Sequence, residues 1–491
     1  MNRPGKLLLL AYLSAILGAC KAGPNFVRPS EPAPAAYSEA GAQPAAAAAP
    51  QPLPTAADPS WWRQFNDPPL DRLEEQAVAE NLGLKASYLR IVAARVQVQA
   101  TRAQGLPSLS ASASYTREQL GLAGILKSKR VDTASAPPAV QNLISSLEEP
   151  VNLYQLGFDA SWELDVFGRV RRSVEAADAQ SQQAIESKND LQVSLEAEVA
   201  QTYFQLREAQ MLRQMTDILI ADQREVLELT SSRQLHGLGS EADVQTARAQ
   251  LKSLESQLPQ YELTIAASRH ALAVLCGKEP ETFDAEFAEG ELPQPPQTVP
   301  VGIPSELARR RPDIRNSEAA LHAATAQIGV AVASMFPRIS LSGTLGLRNT
   351  DTRYLFDWAS KFYTAGPAVS VPIFQGGALV ANVKLSRAEA AAAALNYRST
   401  VLTALQEVED GLAGLREDAL RTAALNEAVI ADQRALEINL DAYRHGIVTY
   451  VTVLTLQLQT VQARQQLAQA QLTQSIDLVK LYKALGGGWE S

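Results

Sequence analysis

The sequence predicts an α+β membrane protein in which very long helices follow amphipathic β-strands, and this arrangement occurs twice in the chain. Three observations lead to this class. Residues 169–235 contain neither Gly nor Pro, which indicates a single helix about 100 Å long. Several short stretches alternate between apolar and polar residues, a pattern typical of strands whose two faces meet different surroundings. Finally, the order of elements in the first half recurs in the second half.

Composition and charge exclude several other classes. The chain has 491 residues, enough for about three ordinary domains, and a formal net charge of −9. This acidic balance, without any cluster of basic residues, argues against binding to nucleic acid. No apolar run reaches the roughly 18–20 residues of a membrane-spanning helix. The sequence contains no Cys/His metal cluster, phosphate-binding loop or nucleophile motif, so we expect neither an enzyme nor a metal or other cofactor.

The N-terminus has the pattern of an export signal. The apolar run Leu7–Leu17 follows Arg3 and Lys6, which is typical of a signal peptide covering residues 1–19. The motif LGAC at residues 17–20 resembles a lipobox, the signal after which bacterial lipoproteins are cleaved and acylated. An ordinary signal peptide with a chance Cys is the alternative.

Cys20 is therefore the predicted lipid attachment site, and the covalent lipid is the one attached group expected. Several acyl chains anchor a protein far more firmly than one chain does. Lys21 follows Cys20, whereas an Asp there would hold an enteric lipoprotein at the inner membrane, so we expect the outer membrane. Residues 20–60 are rich in Pro and Ala and are interpreted as a tether that builds no core, before a body that begins near Trp61.

An internal repeat covers most of the chain. At a shift of 209 positions, residues 161–277 align with residues 370–486 without a gap. Farther upstream, Pro107 matches Pro337 at a shift of 230, so the first copy carries 21 extra residues. They are expected within residues 120–150, a stretch with the composition of a loop.

Each copy predicts a helix, a strand, a loop, a second strand, a very long helix, a tight turn and a return helix. The first copy spans 61–277, with strands at about 107–117 and 153–167, a long helix at 169–235 and a return helix at 240–277. A connection at 278–312 follows. The second copy spans 313–486, with strands at about 337–347 and 362–374, a long helix at 378–444 and a return helix at 449–485, before a tail at 487–491.

The long helices need partners, because helices of this length rarely stand alone. In the first return helix, apolar residues recur every seven positions, at Val244, Leu251, Leu258, Ile265 and Leu272. Pro259 is expected to kink that helix. The heptad pattern predicts coiled-coil packing, although an ordinary helical bundle would produce the same stripes.

The strands separate an apolar face from a polar face, as in YQLGFDASWELDV at residues 154–166. Strands of about nine to eleven residues with this alternation are typical of a transmembrane β-barrel, and a soluble sandwich with one wet face is the alternative. The carboxylates Asp159, Glu163 and Asp165 share the polar face and are predicted to line the lumen.

One chain supplies only four such strands, which cannot close a barrel. Open sheet edges are not tolerated in lipid, so several chains must share one barrel. Known barrels begin at about eight strands, and a dimer, a trimer or a tetramer would each satisfy this requirement.

Two stretches carry a specific family likeness. Residues 303–343, IPSELARRRPDIRNSEAALHAATAQIGVAVASMFPRISLSG, resemble the signature of outer-membrane factors, the TolC/OprM/NodT-like efflux lipoproteins. WWRQFNDPPL at residues 61–70 resembles the opening of that family. The likeness implies a TolC-like homotrimer with a shared 12-stranded barrel, four strands per chain, continued by a hollow α-helical coiled-coil barrel. It also implies an equatorial domain built from residues 61–73, 277–312 and the C-terminal GGGWES.

The family likeness further implies the exit duct of a tripartite efflux pump, which conducts exported small molecules passively across the outer membrane. The implied partners are a periplasmic adaptor, or membrane fusion protein, and an inner-membrane transporter of the resistance-nodulation-division type. Two alternatives stay open at this point: the channel of a type I protein secretion system, and a non-transporting periplasmic coiled-coil lipoprotein.

The turns that end the two long helices are the predicted contact sites for the adaptor. Gly residues suit the positive φ of a helix-ending turn, and Ser or Thr suits the N-cap of the following helix. Ordinary helical turns use the same residues, so the adaptor role comes from the resemblance. The predicted contact residues are Gly237, Leu238, Ser240, Asp243, Gly446, Val448 and Thr449.

The resemblance also implies a channel that is shut at rest by inward-coiled helices and by carboxylate–arginine contacts near the tips. Asp441 and Arg444 occupy such positions and are the predicted periplasmic gate, with Glu437 as an additional candidate. A weak i,i+3 pair within one helix is the alternative. Opening would uncoil the inner helix pair, and adaptor binding would favour the open state.

Overall fold

The computed structural model describes residues 21–29, 34, 36–39, 51–53, 58–119, 128–129, 137–283, 289–296 and 298–489. The predicted signal peptide and Cys20 lie outside these residues. The described chain forms two compact units. The first takes its described residues from the ranges Met1–Val27, Arg95–Ala179 and His322–Ala391, and the second takes them from Arg28–Ala94, Gln180–Leu321 and Ala392–Ser491.

The described α-helices are α1 (Pro68–Glu80), α2 (Leu82–Ala103), α3 (Pro138–Glu148), α4 (Arg169–Leu235), α5 (Glu241–Glu255), α6 (Leu258–Leu275), α7 (Pro304–Arg310), α8 (Pro312–Ala333), α9 (Ala378–Arg444) and α10 (Tyr450–Ala484). The described strands are β1 (Gln51–Leu53), β2 (Ser108–Glu118), β3 (Val151–Leu164), β4 (Thr298–Pro300), β5 (Arg338–Asn349) and β6 (Lys361–Ser370). Across the described residues, every helix is too short or too polar to cross a membrane.

The longest elements are α4 and α9, each of 67 residues. Their bounds coincide with the stretches 169–235 and 378–444 that the absence of strong helix breakers marks in the sequence. α9 passes through Gly411 without a break. A Cβ at Gly411 would lie 3.0 Å from Leu481 Cδ1, so the missing side chain lets α10 approach α9 closely.

The two return segments differ from each other. In the first copy the segment is divided into α5 and α6, whereas α10 in the second copy runs without a break for 35 residues. Pro259 is the second residue of α6, where its missing N–H is harmless because first-turn amides have no partner within the helix. The proline therefore starts a new helix instead of kinking a continuous one.

The strand ends also differ from the sequence pattern. β3 ends at Leu164 and β6 at Ser370, a few residues before the alternation stops. Beyond β3, the carboxylate of Asp165 accepts hydrogen bonds from the N–H groups of Val170 and Arg171, at 3.0 and 2.9 Å. Because these are first-turn amides of α4, Asp165 ends the strand by capping the helix.

The connection between β2 and β3 contains a helix where the sequence composition indicates a loop. α3 begins with Pro138 in its first turn, a position that suits proline because its φ angle is already helical. The sequence pattern conceals this helix because it is short and flanked by prolines and a run of small polar residues.

In the first unit, β2, β3, β5 and β6 form an antiparallel sheet in that order. The register aligns Ala111, Phe158, Leu345 and Tyr363 across one face. Phe158, Leu345 and Tyr363 are 56%, 60% and 77% exposed in the single chain. An exposed apolar band of this kind marks a surface that contacts lipid or another protein.

The core of the second unit gathers segments that are distant in sequence. Trp61 is buried and stacks on Tyr482, with 5.1 Å between the ring centroids. β1 pairs in parallel with β4, and Trp489 Nε1 donates a hydrogen bond to the carbonyl of Arg310 at 3.1 Å. The three segments assigned to the equatorial domain thus share this unit.

Part of the segment interpreted as a tether is packed in the second unit. Tyr37 is only 4% exposed, and the N–H groups of Ser38 and Glu39 donate to the carboxylate of Glu409 at 2.8 and 3.0 Å. The prediction that residues 20–60 build no core does not hold for Tyr37, because its aromatic ring offers apolar area that the average composition hides.

The second unit also encloses two carboxyl groups, Glu74 of α1 and Glu196 of α4, both with 0% exposure. Burial raises the pKa of Glu196 to about 8, opposed by a hydrogen bond from the Gln192 side-chain amide at 3.0 Å. Burial, together with the nearby charge of Glu196, raises the pKa of Glu74 well above its ordinary range. Since burial disfavours the ionised form, both groups favour the protonated acid.

Candidate functional site

The first tip joins α4 to α5 in the second unit. Gly237 has a φ of 68°, and its N–H donates to the carbonyl of Gln234 at 3.0 Å. The N–H of Leu238 donates to the carbonyl of Arg233 at 2.8 Å. Together these bonds close the last turn of α4 around a left-handed residue, which glycine adopts without steric cost.

Ser240 and Asp243 form a reciprocal cap at the start of α5. The N–H of Asp243 donates to Ser240 Oγ at 3.2 Å, and the N–H of Ser240 donates to Asp243 Oδ2 at 3.2 Å. This capping box satisfies two amides that would otherwise lack partners. The N-cap predicted at Ser240 is present, and the Asp243 carboxylate is held within the turn.

The second tip joins α9 to α10 and has the same backbone turn. Gly446 has a φ of 76°, and its N–H donates to the carbonyl of Tyr443 at 3.0 Å. Thr449 occupies the N-cap position, but its side chain caps no helical amide and lies instead 3.3 Å from Thr452 Oγ1, oxygen to oxygen. The predicted N-cap is thus correct for the backbone of Thr449 and wrong for its side chain: the N–H of Thr452 donates to the carbonyl of Thr449 at 3.2 Å, while the two hydroxyl groups contact each other.

A hydrophobic cluster underlies the second tip, with Val448 packed against it. Arg233 of α4 reaches this cluster: its Nη1 donates to the carbonyl of Tyr443 at 2.8 Å, and its Cζ lies 4.7 Å from the centroid of the Tyr443 ring. Arg233 thereby connects the two copies of the repeat. The buried members of the cluster are Val226, Ala247, Tyr443, Tyr450 and Val453.

Sequence reasoning missed Arg233, because α4 carries many arginines with no pattern that singles one out. One available signal was its position in the last turn of α4, where a cation interacts favourably with the helix C-terminus. Its actual partner belongs to the other copy and depends on how the helices pack.

The residues predicted to form the gate do not bond to each other. Arg444 Nη2 lies 2.7 Å from Glu225 Oε1 on α4, and Asp441 Oδ2 lies 3.6 Å from His445 Nδ1. Glu437 pairs with Arg434 at 3.1 Å. The Arg444–Glu225 bond connects the long helices of the two copies, so Arg444 makes a contact between helices instead of the intrahelical pair that was the alternative.

Two of the three predicted lumen carboxylates lie in β3. Asp159 accepts hydrogen bonds from Ser112 Oγ of β2 at 2.7 Å and from Thr344 Oγ1 of β5 at 2.8 Å, so it ties three strands together. Glu163 binds Arg169 through both carboxylate oxygens at 3.0 Å.

The third, Asp165, follows β3 and serves as the cap of α4 described above, with Arg171 Nε 3.3 Å from its Oδ2. Arginines at the start of α4 therefore engage Glu163 and Asp165, whereas Asp159 holds its carboxylate among hydroxyl groups. The alternation placed all three on one face because it extends past the end of the strand.

The tip histidines make local bonds typical of helix ends. The Nδ1 atoms of His236 and His445 lie 2.7 and 2.9 Å from the carbonyl oxygens of Ser232 and Asp441. Within the described part of the chain, no group of three or more His, Cys, Asp or Glu side chains could hold a metal ion.

Two very long helices with matching turns, in one chain with an antiparallel sheet whose apolar face is exposed, define a subunit of a TolC-like outer-membrane channel. The family model described as outer membrane efflux protein matches residues 73–278 and 303–487. The chain belongs to this family, and each matched range contains most or all of one copy of the repeat.

Named relatives agree with this assignment. The chain is 31% identical over 484 residues to the probable efflux pump outer membrane protein TtgC of Pseudomonas putida, covering 98% of this chain and 96% of TtgC. It is 30% identical over 494 residues to the outer membrane protein OprJ of Pseudomonas aeruginosa, covering 100% and 97%. Its structure is similar to that of the outer-membrane channel OprN, with a TM-score of 0.84, 32% identity and coverage of 96% and 100%. The protein is thus an outer-membrane component of an efflux system.

Proposed function

We propose that this protein is the exit duct of a tripartite efflux pump, a homotrimer that conducts exported small molecules without catalysis. Its partners are a periplasmic adaptor and an inner-membrane transporter of the resistance-nodulation-division type. The name of the relative TtgC, an efflux pump outer membrane protein, supports this assignment. Acylation of Cys20 would add a lipid anchor to the sheet that enters the membrane.

The observation that carries the proposal is a sheet with two open edges and an exposed apolar face. All neighbouring strands are antiparallel, so the edge strands β2 and β6 run in opposite directions. Edge N–H and C=O groups need partners in lipid, and β6 of one copy can pair antiparallel with β2 of the next. Three copies would form a 12-stranded barrel with the apolar band toward lipid and Asp159 toward the lumen.

The adaptor contact is proposed at the two tips. They lie side by side, because Arg233 contacts Tyr443 and lies 3.8 Å from the Cβ position of Gly446. Leu238 and Ile447 are 69% and 76% exposed at these turns, so each tip presents an apolar side chain to a partner. Ile447 was not among the predicted contact residues, and its exposure adds it to them.

The gate is proposed at Asp441 and Arg444, with Glu225 as the partner of Arg444. Both members of the Arg444–Glu225 pair are more than half exposed, with side-chain exposures of 53% and 68%. An exposed ion pair contributes about 0–1 kcal/mol, so its loss should increase opening a few-fold and not by orders of magnitude.

Single-channel conductance of the purified protein in planar bilayers tests the proposal. We expect small, rarely open currents from the wild type and more frequent openings from Asp441→Ala/Arg444→Ala. Lys85→Ala is the matched control, because it breaks a similarly exposed ion pair, with Glu80, that is not part of the predicted gate. Unchanged currents in the double variant would reject the gate and leave the duct. A protein that neither forms trimers in detergent nor conducts would reject the duct itself.

A further inference from the structure

A cavity of about 800 Å³ lies in the first unit, beside the end of α2, the end of β3 and the start of α4. Leu106, Trp162, Val170 and Val174 form the apolar part of its wall. Trp162 Nε1 already donates a hydrogen bond to the carbonyl of Gly105 at 2.9 Å, so the indole needs no further polar partner. The volume lies within the range of about 300–1,000 Å³ that is typical of ligand pockets.

The charged residues of the wall are paired with one another. Lys21 lies 3.3 Å from Glu175, Arg102 lies 3.1 Å from Asp178, and Arg171 lies 3.3 Å from Asp165. These three cations and three carboxylates all line the cavity. An anionic headgroup would have to displace a carboxylate to reach any of these cations, so the wall favours an uncharged, apolar occupant.

Residues 22–25, which follow Lys21 in the chain, are held in place by hydrogen bonds and by packing. Arg172, which is 1% exposed, donates hydrogen bonds to the carbonyls of Ala22 and Gly23, at 3.0 and 3.2 Å, and to Asn25 Oδ1 at 2.8 Å. A Cβ on Gly23 would lie 2.6 Å from the Cα of Gly329, so the segment passes in direct backbone contact with α8.

These hydrogen bonds from Arg172 hold the chain immediately after Lys21, which lines the cavity and follows Cys20 in the sequence. The described chain therefore begins at the wall of the cavity, one residue after the proposed lipid attachment site in the sequence. We propose, on the basis of the lipid attachment proposed above, that one acyl chain carried by Cys20 lies in this cavity. An acyl chain in the cavity would remove the apolar surface of Trp162 and Val174 from water.

Photocrosslinking tests this inference on the full-length protein. Cells are supplied with a palmitic acid analogue that carries a diazirine, their membranes are irradiated, and the protein is then purified and analysed by peptide mass spectrometry. We expect the N-terminal lipopeptide to be crosslinked to residues 162–178 of the same chain. Val174→Trp places a larger side chain in the cavity and should reduce this product several-fold, because the indole occupies part of the space and covers the apolar wall that the acyl chain would contact. Leu106→Trp, at a 65% exposed residue of the wall, should act in the same direction if Val174→Trp folds poorly.

Val96→Trp is the matched control, because Val96 lies on α2 outside the wall and is 55% exposed. A yield unchanged by both cavity variants, or crosslinks from the lipopeptide to bilayer phospholipid alone, would overturn the inference while leaving the lipoprotein assignment intact. A mature N-terminus without lipid would overturn both the inference and the lipoprotein assignment. In Cys20→Ala behind a cleavable signal peptide, labelling of residues 162–178 by free phospholipid would assign the cavity to membrane lipid and overturn the inference.

Discussion

The two tips make the same backbone turn but are stabilised by different interactions. The first is closed by exposed polar groups, the capping box of Ser240 and Asp243. The second lacks a side-chain cap and depends on Tyr443 and Tyr450, each 3% exposed, with ring centroids 6.0 Å apart. The difference shows that the duplicated turn keeps the backbone geometry, for which glycine is needed, while the supporting interactions have diverged.

Packing should therefore dominate at the second tip, and Tyr443→Ala is the largest expected effect. Removing a buried aromatic ring costs about 3–5 kcal/mol, and here it also removes the surface on which Arg233 rests. Hydrogen exchange of the amides at residues 444–453 should accelerate strongly, while those of the capping box at Ser240 change less. Tyr443→Phe is the control, because it removes only the hydroxyl that lies 3.4 Å from Thr230 Oγ1. Equal acceleration in both variants would contradict the importance of packing.

The comparison of copies extends to the long helices, where Glu196 of α4 aligns with Leu405 of α9. The pKa of Glu196 is raised to about 8 by burial, so its contribution to stability is complete below about pH 4.3, the value in the unfolded chain, and is lost as pH rises through 8. Glu196→Leu, which introduces the residue of the second copy, should remove roughly 4 kcal/mol of this alkaline loss between pH 5 and about 9.

Melting temperatures of the purified protein between pH 5 and about 9 check this expectation. The wild type should lose stability toward alkaline pH, and Glu196→Leu should lose less. The loss that remains in Glu196→Leu is expected to come from Glu74, whose pKa is also raised. Glu198→Leu is the control, since Glu198 is exposed on the same helix. Identical pH profiles for the wild type and Glu196→Leu would rule out the buried acid as a source of the loss.

The long helices could be predicted from the sequence because their bounds depend on neighbouring residues in the chain. The side-chain pairs between helices could not be predicted, because they depend on how the helices pack. The bounds of α4 and α9 coincide with 169–235 and 378–444, because a glycine with positive φ lies within two residues of each end, whereas Gly411 and Gly414 inside α9 do not interrupt it. The pairing of Arg444 with Glu225 depends on which helix lies alongside, and no periodicity contains that information. Tyr37 was missed for the same reason, since its burial depends on a distant surface.

At the first tip, the expected effect of a polar change is smaller and local. Ser240→Ala removes the side-chain acceptor for the N–H of Asp243 and should cost about 1 kcal/mol of helix stability. Hydrogen exchange in the first turn of α5 measures it. Ser240→Asp retains an acceptor and should remain close to the wild type. If Ser240→Ala exchanges no faster than Ser240→Asp, the capping box does not stabilise this tip.

The smallest effect is expected when the missing cap is supplied to the second tip. At a shift of 209, Thr449 and Thr452 occupy the positions of Ser240 and Asp243. Thr449→Ala should change stability by only a few tenths of a kcal/mol, because the hydroxyl caps no helical amide. Thr449→Ser/Thr452→Asp introduces the reciprocal pair and should slow exchange in the first turn of α10 by about 0.5–1 kcal/mol. The buried tyrosines already stabilise this tip. If the stability gained in the double variant equals the stability lost in Ser240→Ala, a capping box contributes equally at both tips and the packing beneath the second tip has not replaced it. A clearly smaller gain would show that packing has replaced the cap, and that opening at this tip is resisted by the hydrophobic cluster.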